Sequence, residues 1–118
     1  VNDRKTKTYY LHLTNFRLNN VPEIISGVEV IIAMNRKGRI TDETIRLRYN
    51  DEFIGHNRAD FKLDQTKIYG SDTDTWDADI TQEMVLDSSF GVGIRFQSHP
   101  NWPHKDTPVI DYVKLRVW

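Results

Sequence analysis

The sequence predicts an all-β fold, a single antiparallel, jelly-roll-like β-sandwich of about seven or eight short strands with one short helical turn. Three observations carry this reading. Apolar and polar residues alternate over strand-length runs, as at Ile45, Leu47 and Tyr49 against Arg46 and Arg48. Asn, Asp, Gly and Pro cluster between those runs. Apart from a stretch after Thr81, no segment suggests a helix.

The first strand is Tyr9-Tyr10-Leu11-His12-Leu13, with Tyr9, Leu11 and Leu13 on one face, and the chain then runs to a turn at Asn19-Asn20-Val21-Pro22. Gly27 to Met34 is apolar on both faces in its second half, as expected of a central strand. Asn35 to Arg39 reads as a hairpin loop around Gly38. It leads into Thr44 to Tyr49, which buries Ile45, Leu47 and Tyr49 and leaves Arg46 and Arg48 wet. Asn50-Asp51 is a turn, and Phe53-Ile54-Gly55 and Thr66 to Gly70 are short strands ending on glycine.

Thr81 is placed to cap a helical turn with Glu83 near its positive end, but the turn is too short to stand alone. Phe90, Val92, Ile94 and Phe96 share one face of the next strand; opposite them, Gly91 and Gly93 permit close backbone approach. The last strand turns Val113, Leu115 and Val117 inward. The same alternation places Asp111 inward at its start, where a carboxylate needs a partner.

Composition narrows the function classes. A chain of 118 residues suits one domain over positions 1–118, large enough to bury roughly two-thirds of its unfolded surface. Sixteen basic and seventeen acidic residues give a net charge of -1, so nucleic acid and anionic lipid have no special claim. Without cysteine there are no disulfides, thiolate nucleophiles or zinc–sulfur sites. The apolar run from Val28 to Met34 is far short of the roughly 20 residues that span a bilayer, so no membrane insertion is expected. The polar start and strand-like end suggest an excerpt or cleaved part of a longer polypeptide.

No nucleophile elbow, zinc-protease motif or phosphate loop occurs, so the chain reads as a non-enzyme. Asp72, Asp74, Asp77 and Asp79 form the densest acidic stretch and permit a Ca²⁺ loop, although Trp76 and the missing glycine break the EF-hand pattern. The plainer reading is a solvated turn with no cofactor. In the loop His99-Pro100-Asn101-Trp102-Pro103-His104, the prolines display an indole that suits a sugar face, with His99, Asn101 and His104 as hydrogen-bonding partners. A protein contact or simple packing explains the loop equally, and two histidines without a third ligand make a poor metal site.

Read in order, Tyr10 to Phe16, Ser26 to Val30, Asp42 to Leu47, Gly55 to Ala59, Tyr69 to Trp76, the turn from Thr81, Ser89 to Val92 and Ile110 to Leu115 are spread over most of the chain. This order resembles a β-sandwich module of tailed-bacteriophage structural proteins. The resemblance implies a virion component of the tail, fibre or capsid, partnered by other virion proteins and by further copies of itself. It leaves open the presentation of loops to a host-surface glycan. The alternative is a carbohydrate-binding module built around Trp102, with Trp76 the poorer candidate because it reads as core.

Two departures matter. The module usually carries another strand before the part matching Tyr10 to Phe16, which leaves an edge open here for pairing with another chain. It also has a shorter, apolar approach to the tryptophan than Ser71 to Thr75.

Overall fold

A computed structural model describes residues 10–35, 40–60, 66–98 and 109–118. Their strands are β1 (Leu11–Thr14), β2 (Val28–Asn35), β3 (Ile40–Tyr49), β4 (Glu52–Ile54), β5 (Thr66–Ser71), β6 (Gly91–Ser98) and β7 (Val109–Val117), with one helix, α1 (Gln82–Leu86). They form two antiparallel sheets, ordered β1-β6-β3-β4 and β5-β2-β7. The expected β-sandwich is therefore the fold.

Side-chain alternation builds the core between the sheets. Val28, Val30 and Ile32 of β2 face it from one side, and Ile45, Leu47, Val92, Ile94 and Phe96 from the other, all at most 1% exposed. Such inner faces of opposed sheets are where burial stabilises most, at about 25 cal/mol per Å² of apolar surface. α1 closes one end, capped by the Thr81 hydroxyl, which accepts from the Met84 amide, and anchored by buried Val85. After it, the Ser89 amide donates to Asp87 and holds that carboxyl below the usual carboxylate range.

The β3–β4 hairpin turns on Asn50 and Asp51, both left-handed at φ 54° and 65°, with Tyr49 opposite Glu52. Two successive left-handed residues are what a type I′ turn needs, and Asn and Asp tolerate them.

Three expectations are corrected. β2 and β3 do not form a hairpin: β2 pairs with β5 and β7, β3 with β4 and β6. Their apolar faces oppose one another across the core, so the chain passes from one sheet to the other between them; residues 36–39 themselves lie outside those described. Arg48 is not wet but only 8% exposed, because Phe53 of β4 lies across it. Asp111 faces solvent. The register of β2 with β7 jumps from Ala33↔Tyr112 to Met34↔Ile110, so Asp111 is the extra residue of a β-bulge and the inward phase passes to Ile110.

Candidate interaction face

The outer face of the four-stranded sheet has a bare floor. His12, Gly93 and Arg46 stand in register across β1, β6 and β3, and Thr14, Gly91, Arg48 and Phe53 across all four strands. With no side chain on the central strand at either row, Phe53 leans inward over Gly93. A Cβ there would lie 2.4 Å from the Phe53 ring. We expect Gly93→Leu to expel Phe53 and lower stability by about 1–3 kcal/mol, the usual cost of overpacking. Chemical denaturation of the two proteins measures it.

Around Phe53 the other rings and guanidinium groups gather. Tyr10 and His12 have ring centroids 5.5 and 6.0 Å from that of Phe53. The Arg48 guanidinium stacks 4.7 Å from the Phe53 centroid, Arg46 stands 5.5 Å from it, and Arg95 lies 4.7 Å from Tyr10. Arg46 donates from Nε to the Gly55 carbonyl at 2.8 Å, which fixes its stem. Arg95 Nε is buried without a hydrogen-bond partner among the described residues, with Glu43 Oε1 at 3.9 Å.

Among the described residues no carboxylate lies within ion-pair distance of Arg46 or Arg48. A stacked guanidinium keeps its in-plane N–H groups for other acceptors. Tyr10 is 41% exposed and His12 is also exposed, so an apolar ledge adjoins those donors. The face therefore offers cationic donors beside aromatic surface, a composition enriched at the energetic centres of protein interfaces.

Charge of the opposite sign collects at one end of the sandwich. Hydrogen bonds join Asn15 to Ser88, Asn50 to Ser89 and Ser26 to Asp72, and an Ile24–Thr81 bridge ties the Ser26 segment to the start of α1, which brings the segment after β1, the β3–β4 turn, the 72–79 loop and α1 together. Glu23, Asp51, Glu52, Asp72, Asp79, Glu83 and Asp87 are all exposed there.

The acidic loop is partly neutralised from within. Arg58 donates to Asp74 Oδ1 at 2.7 Å and stands 3.7 Å from Asp77, whose Oδ2 is 2.7 Å from His56 Nδ1. Asp74 also accepts from the Trp76 amide, while Asp72 and Asp79 point to solvent. The four carboxylates do not converge, and no group of acids and histidines among the described residues is placed to hold a metal ion. Trp76 is core: fully buried, it donates from Nε1 to the Val28 carbonyl at 2.9 Å.

His99, Asn101, Trp102 and His104 lie outside the described residues. β1 is an edge strand as expected, bonded to β6 alone among the described strands. The arginine–aromatic face escaped sequence reasoning, although Gly91 and Gly93 beside the alternating Arg46 and Arg48 were its signal. Comparison of the chain with protein-family models, with curated proteins and with solved structures finds no match.

Proposed function

We propose that this chain is a non-catalytic assembly module of a tailed-phage particle, and that the outer face of its four-stranded sheet docks the acidic end of a neighbouring copy. The virion setting is supported by the ordered sequence anchors from Tyr10 to Leu115. The docking is carried by one observation: Arg46, half-exposed beside the Phe53 ring, has no acidic partner among the described residues. Exposed carboxylates at the end of the sandwich that holds the β3–β4 turn and α1 supply the complementary charge. Because the two surfaces differ, the contact is head-to-tail and closes a ring or extends a filament.

Sedimentation over a range of protein and salt concentrations tests this. The wild-type chain is expected to self-associate at low salt and to dissociate as salt rises. The variant Arg46→Glu is expected to weaken association by roughly tenfold or more, about 1.4 kcal/mol per tenfold. A wild-type chain that remains monomeric at high concentration and low salt overturns the proposal.

A further inference from the structure

Between β3 and β5 a buried amine meets one buried and one half-exposed carboxylate. Lys67 of β5 faces inward with its side chain only 6% exposed, and the Asp42 side chain of β3 is fully buried. Lys67 Nζ lies 3.3 Å from Asp42 Oδ2 and directly against Asp60 Oδ1. The same Asp42 oxygen accepts from the Tyr69 hydroxyl at 2.8 Å and from the Asp60 backbone amide at 3.1 Å. Asp42 thus holds the main chain of Asp60 so that its carboxyl meets the amine. The Asp60 side chain is 45% exposed, which leaves a path to solvent.

We propose that Lys67 and Asp60 condense to an intramolecular isopeptide bond, with Asp42 carrying the proton. The Lys67 ammonium passes one proton to Asp42. The freed amine attacks Asp60 Cγ and forms the new C–N bond. One Asp60 oxygen then leaves as water, taking the proton held by Asp42 and a second from the nitrogen. Ammonium and carboxylate become amide and water, no electrons are transferred to an outside acceptor, and Asp42 returns to its carboxylate.

Two physical factors favour the step. Reacting groups already in contact face little further entropy cost. The product replaces a partly buried ion pair, costly to desolvate, with a neutral amide whose N–H has Asp42 as acceptor. This inference is independent of the proposed docking.

Intact-mass measurement of the purified full chain decides it. The wild-type protein is expected to be lighter than its sequence by one water, and Lys67→Arg and Asp60→Ala to show their full sequence masses. Proteolysis of the wild type should release one branched peptide joining Asp60 to Lys67. This mapping separates the cross-link from cyclisation of an aspartate, which also loses water. The Asp42→Asn variant, checked for folding by circular dichroism, is expected to keep its full mass. A folded wild-type chain at its full sequence mass, or a water loss mapped elsewhere, overturns the cross-link. A folded Asp42→Asn chain that loses water as fast as wild type overturns the role of Asp42.

Discussion

Trp76→Ala is expected to remove most of the stability of the chain. The indole is fully buried, and its loss opens a cavity between β2, β5 and the 55–58 loop. Large-to-small changes of this kind cost about 3–5 kcal/mol. The substitution also leaves the Val28 carbonyl without the Nε1 donor that reaches it now, a further penalty of about 1–3 kcal/mol. Against a typical total of roughly 5–15 kcal/mol, many molecules would be unfolded at room temperature. Trp76→Phe helps to separate the two effects, because it keeps much of the apolar volume while removing the donor. Urea denaturation should place it between wild type and Trp76→Ala; a Phe variant as unstable as the Ala variant would show that the hydrogen bond dominates.

Asp42→Ala is the second large effect. It withdraws a buried acceptor from Lys67, from the Tyr69 hydroxyl and from the Asp60 amide together. Leaving a buried charge with no partner costs about 3–5 kcal/mol, and because Lys67 keeps the half-exposed Asp60 carboxylate that figure is the upper bound here. Replacing the buried pair with Asp42→Leu/Lys67→Met should recover most of the loss, since apolar substitutes for a buried ion pair are often neutral or better. Thermal melts of the single and double variants measure the difference. A double variant as unstable as Asp42→Ala would show that Tyr69 and Asp60, not Lys67, need the carboxylate.

The sequence was legible where alternation ran unbroken. β6 reads directly, because Phe90, Val92, Ile94 and Phe96 all enter the core as their spacing requires. Legibility failed wherever a bulge reversed the phase. Counting back from Ile45 places Glu43 inward, yet the register with β6 skips Glu43 and delivers Asp42 to the core. The bulge at Asp111 works in the opposite sense and releases a carboxylate to water. A bulge is set by pairing with another strand, which no local pattern encodes.

β5 inverts its apparent pattern for a related reason. Lys67 is 7% exposed and Ile68 61%, because Tyr69 and Lys67 share the face that meets Asp42. Arg48 was misread because the ring that covers it belongs to a separate strand. The arginine–aromatic face thus arises from tertiary neighbours, with only the glycine floor visible beforehand.

The tryptophan has one more consequence. Its backbone is left-handed at φ 60°, as is that of Asp77 at φ 56°, and its carbonyl accepts the His56 amide at 2.8 Å. Side chain and main chain of one residue therefore tie two surface loops to the first carbonyl of β2, that of Val28. Loops ordinarily open and close many times while a domain stays folded. This one cannot lift without drawing the indole out of the core, so its opening follows the slow clock of global unfolding, and a protease that needs an extended substrate would meet the 72–79 segment about as rarely as it meets a central strand.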